Sequence, residues 1–167
     1  MLDKLLQLAD GPLREMLSGV DKDKAIDSAH VVEESVFETL KKQVASGDLS
    51  AVREMFSGRE TDPSSPVVNN LKGDVSHSLM DKLGIDSKTA MTMAAMAIPL
   101  LMNMFNKKVN DAPQKNEDIQ SSIADSLKGG GGSGVGDILG SLLGGSKDGK
   151  GGMDLGGLIN MGKGLFK

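Results

Sequence analysis

Ala90-Met-Thr-Met-Ala-Ala-Met-Ala-Ile-Pro-Leu-Leu-Met-Asn-Met-Phe105 is the stretch on which the reading of this chain turns. It is the most apolar run in the protein, yet at 16 residues, with Thr92, Pro99 and Asn103 inside it, it falls short of the ~20 apolar residues that span a bilayer. A buried core helix over Lys88–Phe105 is the better reading, and membrane contact is the alternative. Such a helix is apolar nearly all round and has to be covered by the rest of the chain or by another molecule. Pro99 removes a backbone donor, which predicts a kink near Ala95.

The residues just upstream carry the punctuation of helices. Asp86-Ser87 reads as a cap for the apolar helix, and Gly84 as the stop of the one before it. That preceding helix, Pro66–Leu83, places Val68, Leu71, Val75, Leu79 and Leu83 on one face, behind a Ser65 cap and a proline in its first turn. Thr61-Asp-Pro-Ser-Ser-Pro66 reads as a linker. Before it, Ile26, Ala29, Val32, Val36, Leu40 and Val44 recur in steps of three and four over Asp23–Ser46, and Gly47 ends the run. Asp48 caps a short helix over Leu49–Ser57. At the start, Leu2, Leu5, Leu6 and Leu8 predict a short helix broken by Gly11-Pro12, with a second from Pro12 to Ser18.

Downstream, Ile119, Ile123 and Leu127 mark one more helix over Asp118–Leu127, and then the composition changes. Residues 129–167 hold 16 of the 22 glycines. Each glycine costs a helix about 1 kcal/mol against alanine, so long helices are not expected there. Two islands, Asp137-Ile-Leu-Gly-Ser-Leu-Leu143 and Asp154-Leu-Gly-Gly-Leu-Ile159, suggest one- or two-turn helices with Asp caps. The expectation is an all-α small helical bundle in three parts: an N-terminal helical region (1–60), a helical core with the Met-rich helix (61–127), and a mostly irregular glycine-rich tail (128–167).

Composition narrows the function classes. With no Cys there is no disulfide, thiolate chemistry or Cys-based zinc site. The net charge is -4, and because residues 128–167 carry five Lys against three Asp, the body before them holds -6. An acidic body with no Trp or Tyr offers neither a basic face nor stacking platforms, so no nucleic-acid partner is expected. Met1–Asp10 lacks a basic region followed by a long apolar one, and the expected location is cytoplasmic, with envelope association as the alternative.

No motif supports catalysis. Gly144–Lys150 and Gly157–Lys163 follow the phosphate-loop spacing but place Gly where the magnesium-holding Ser or Thr belongs, and neither lies between a strand and a helix. Gly129-x-Gly131-x-x-Gly134 fits a dinucleotide spacing and lacks the same context. His30 and Glu33 lie at i,i+3 with Glu34 adjacent, a spacing that could share a metal, but a third ligand is missing and a solvated helix face explains the run more simply. Asp21-Lys-Asp23 opens like a calcium loop without its glycine or closing Glu, and reads better as acids at a helix start. No enzyme activity, cofactor or metal is expected.

Ser65-Pro-Val-Val-Asn-Asn-Leu71, Lys82-Leu-Gly-Ile-Asp86 and Ala94-Ala-Met-Ala-Ile-Pro-Leu-Leu101, followed by a glycine-rich end with Asp-Leu and Asp-Ile islands, resemble the YidB-like family of uncharacterised bacterial proteins. The resemblance spans residues 61–166 at most. It implies a bacterial source and a homeodomain-like helical core, and it brings no catalytic residues. A homeodomain-like core invites a DNA-binding reading, against which no helix here presents a row of Arg or Lys.

What remains distinctive is methionine, 11 in all, concentrated on the apolar helix. Its flexible, polarizable side chain fills irregular cores and also lines surfaces that accept partners. The candidate partner-binding residues are Met91, Met93, Met96, Leu100, Leu101, Met104 and Phe105. The expected function is a non-enzymatic structural or interaction protein with a protein partner, a second copy of the chain being the simplest.

Overall fold

The apolar stripes of the sequence need partners, and the helices supply them to one another. The computed structural model describes residues 2–129; the two tail islands and the phosphate-loop-like stretches lie outside the described residues. Six helices follow in order: α1 (Leu2–Ser18), α2 (Ala25–Ala45), α3 (Ser50–Met55), α4 (Pro66–Leu83), α5 (Ser87–Asp111) and α6 (Asn116–Leu127). Among the described residues 77% are helical and none lies in a strand, so the class is all-α.

Four long helices form a closed ring of neighbours. α1 packs on α2, α2 on α4, α4 on α5, and α5 returns to α1; α3 and α6 pack against this ring and against each other. Each long helix turns a continuous stripe inward: Leu5, Leu6, Ala9, Leu13 and Leu17 from α1; Ala29, Val32, Val36, Leu40 and Val44 from α2; Val68, Leu71, Val75 and Leu79 from α4; Ala90, Met93, Ala94, Ala97, Ile98, Leu101, Met102 and Phe105 from α5. A fully buried Leu, Ile, Phe or Met adds about 1.5–3 kcal/mol over leaving it in water. The core runs unbroken from Leu5 to Leu127, so residues 1–60 and 61–127 share a single interior across the 61–66 linker.

Local chemistry sets most boundaries where the sequence placed them. Ser65 Oγ accepts from Val68 N at 3.2 Å, and Pro66 sits at the first helical position. Asp86 Oδ2 accepts from Thr89 N at 3.0 Å. Gly84 closes α4 in the left-handed region at φ 63°. Asp21 Oδ1 accepts from the amides of Asp23 and Lys24, a turn that launches α2.

Three expectations change. Gly11-Pro12 does not break α1, which runs through both. Both residues are exposed while Ala9 and Leu13 on either side are buried, so the proline's missing donor faces water and the packed stripe carries the helix across. α5 holds Pro99 within one helix, as expected, but runs six residues beyond Phe105, because Asn106 and Val109 are also buried. Ile26, which its spacing assigns to the α2 stripe, is 59% exposed, and Ala25 and Ser28 begin the inward face instead.

Candidate functional site

Two surfaces bear on function: the outer side of α5, and a groove between α1 and α2. On α5 the seven candidate residues divide by helical phase. Met93, Leu101 and Phe105 point into the core, where Phe105 stacks on Phe56 with centroids 5.3 Å apart. These three are core residues and leave the partner-binding set, since reaching a partner would open the interior. Met91 and Met96 are 61% and 39% exposed, and Leu100 and Met104 are half-buried. With exposed Ala95 and half-buried Pro99, they are spread around the side of α5 away from the core: Met91 and Ala95 lie on the flank beside α4, and Leu100 and Met104 on the opposite flank, with exposed Thr92 and Asn103 between. Beside it, Asn69, Lys72, Gly73 and Ser76 of α4 and Met91 and Ala95 of α5 border a shallow groove of about 370 Å³. Gly73 contributes to the depth of that groove, because a Cβ added there would meet nothing within 4 Å.

The C-terminal half of α5 is held by amides as well as by apolar packing. Asn106 Oδ1 accepts from Gly58 N at 3.0 Å and from the Ser57 hydroxyl at 3.3 Å, while its Nδ2 donates to Thr61 Oγ1 at 3.2 Å. Asn103 Oδ1 accepts from Thr61 N at 3.1 Å, and Asn116 Nδ2 donates to the Ser57 carbonyl at 2.8 Å. These bonds fasten the α3–α4 connection to α5 and to the start of α6, and fix which way α5 faces.

The second surface was not expected. Because α1 is continuous past Pro12, Gln7, Asp10 and Arg14 lie opposite His30, Glu33, Glu34 and Phe37 of α2, and with Leu6 they line an open groove of about 490 Å³. Asp10 and Arg14 hold each other, Nε to Oδ1 at 2.9 Å and Nη2 to Oδ2 at 2.8 Å. Glu34 is taken by Lys82 of α4 at 2.7 Å, which keeps its carboxyl below the ordinary range. Glu33 has no such partner. It is only 9% exposed, and its Oε1 makes no hydrogen bond among the described residues. Burial raises its pKa from 4.5 to about 7; the Asp10 carboxylate adds to the rise, and His30 and Arg14 oppose it.

His30-Val-Val-Glu-Glu34 is therefore not the wholly solvated face read from the sequence. Glu33 falls at i+4 from Ala29 and i-3 from Val36, inside the register of the apolar stripe, and that spacing was the available signal. Asp10, Arg14 and Phe37 could not have been joined to it without knowing that α1 crosses Pro12 and packs on α2. Among the described residues no cluster of three His, Asp or Glu is arranged to hold a metal ion.

No protein-family profile, curated protein or solved structure matches this chain.

Proposed function

We propose that this chain is a non-enzymatic interaction protein that associates with a second copy of itself through the exposed methionines of α5, with the glycine-rich tail as an additional arm. The observation that carries the reading is the exposure of Met91 and Met96, two large apolar side chains that the bundle leaves in water while the rest of α5's methionines are buried or half-buried. Thioethers adapt to the surface they meet, which suits a contact made by a single helix. A knob (Met91) adjoining a groove (Asn69, Gly73, Ser76) is also what a two-fold contact uses, each copy seating its methionine against the other's α4. The likeness of Leu83-Gly-Ile-Asp86 and Ile98-Pro-Leu-Leu101 to a family without established catalytic residues fits a non-enzymatic role.

Light scattering on the full chain tests it. The wild type should have a mass that rises with concentration above one chain, and Met91→Glu with Met96→Glu should return it to a monomer with an unchanged helical spectrum. A wild type that stays monomeric at all concentrations refutes the proposal.

A second reading has its own observation: α5 is long and apolar enough to cross a membrane, judged by length and composition alone. Half of its most apolar portion is buried inside the bundle, so insertion would need the core to open. Flotation with liposomes separates the two, since a chain that remains with the unbound fraction removes the membrane reading.

A further inference from the structure

We propose that the groove between α1 and α2 is a binding site for a primary ammonium on a short apolar stem, with Glu33 as its anchor. This goes beyond self-association, because the groove and the exposed methionines of α5 are set among different residues.

Glu33 presents an acceptor that has nothing to accept. A buried carboxylate oxygen without a donor is costly, and proteins pair such atoms or use them. Glu33 Oε1 is such an atom, buried beneath an open groove that Glu33 lines, so an ammonium in the groove meets it as the carboxylate turns outward; the neighbouring carboxylates are already committed. Asp10 is closed by Arg14 from α1, and Glu34 by Lys82 from α4. The groups facing Glu33 are Asp10 and Arg14 on α1 and His30 and Glu34 on α2, with Lys82 of α4 reaching only Glu34. Three carboxylates against one guanidinium and one ammonium leave a negative surplus when Glu33 is ionised, which selects a cation over an anion. Leu6 and Phe37 flank the groove with apolar surface, and an aromatic ring beside an ammonium adds attraction through its face. About 490 Å³ of open groove accommodates a chain of several methylenes. The described residues offer no three-ligand cluster, so a bare metal ion fits less well than an organic cation.

Occupation would draw the proton off Glu33. With its carboxyl at about 7, the free groove is mostly protonated in mild acid and mostly ionised in mild base. The incoming ammonium pairs only with the ionised form, so binding releases a proton to solvent at lower pH and tightens as pH rises.

The chemistry could come from a free diamine or from a lysine side chain, and calorimetry on the full chain distinguishes them with 1,5-diaminopentane in one arm and Nα-acetyl-lysine amide in the other. 1-Pentanol supplies the stem without the charge. Saturable binding of either amine, at least about tenfold weaker in Glu33→Gln and about thirty-fold weaker at about pH 5.5 than at about pH 8, supports the site. The proton release should appear as a dependence of the measured heat on the buffer's ionisation enthalpy. If Glu33→Gln does not fold, the pH dependence and the proton release of the wild type decide the matter. Absence of binding by both amines, equal binding of 1-pentanol, or amine binding that ignores pH overturns it.

Discussion

Replacing Glu33 by Gln perturbs the groove with little change of shape and isolates one titration. In the folded chain the Glu33 carboxyl is raised from 4.5 to about 7, so the folded state holds its proton more tightly than the unfolded state does. A raised acid favours folding while it is protonated. Its contribution is fully present below about pH 4.5, is lost progressively as pH rises toward 7, and levels off above that. A tenfold difference in proton affinity corresponds to about 1.4 kcal/mol. A carboxyl moved from 4.5 to about 7 therefore makes the wild type about 3 kcal/mol less stable, relative to Glu33→Gln, in mild base than in mild acid. The glutamine amide has its own burial cost, which shifts the whole curve without tilting it. Urea unfolding of both proteins at several pH values reads the difference directly, with the exposed carboxylates cancelling because they are common to both. Glu33→Gln should gain on the wild type as pH rises from about 5 to about 8, with most of the gain complete by about 7.5. A difference that is flat across that range would refute the claim that Glu33 is buried and unpartnered.

Other consequences follow from single positions. Gly58 has φ 72°, and an added Cβ would lie 2.7 Å from Asn110 Oδ1 and 3.0 Å from Asn116 Nδ2, whereas Gly47 at φ 87° faces open space. Both substitutions to Ala carry the left-handed cost of about 1–2 kcal/mol, and Gly58→Ala should cost more than Gly47→Ala because it also displaces amides; denaturant midpoints compare them. Asn106→Ala leaves Gly58 N and Thr61 Oγ1 without their partner and should cost about 1–3 kcal/mol, read in the same unfolding assay. Ser65→Ala removes the acceptor for Val68 N and should cost about 1 kcal/mol, with α4 amides near its start exchanging faster. Leu101→Ala, at a fully buried position, should cost about 2–5 kcal/mol while leaving the assembly mass of the folded fraction unchanged.

What the sequence made legible is what local chemistry determines. Ser65-Pro66, Gly84 and Asp86 each act on backbone groups within a turn of themselves, so the boundaries of α4 and the start of α5 could be read residue by residue. Gly11-Pro12 was misleading for the opposite reason. Whether a proline ends a helix depends on whether its turn is exposed and whether the stripe on the other side is worth packing, and that depends on α2 and α5. The Met-rich helix was legible as apolar but not as divided, since its phase relative to the core is fixed by Asn103 and Asn106 meeting Thr61 and Gly58, some 42 to 48 residues earlier. Glu33 shows the same limit. Its register hinted at burial, while the absence of a partner is a property of four residues on two helices and of the angle between them.

Self-association through α5 requires that helix to have a core side and a partner side, and methionine oxidation probes both at once. Dilute full-length protein treated briefly with peroxide and mapped by mass spectrometry should be oxidised at Met91 and Met96 well before Met93 and Met102, which resist until the chain unfolds. Raising the protein concentration should then slow Met91 and Met96 and leave Met93 and Met102 as they were. Oxidation of Met93 as fast as Met91 would contradict the core, and Met91 and Met96 reacting equally fast at every concentration would contradict the interface.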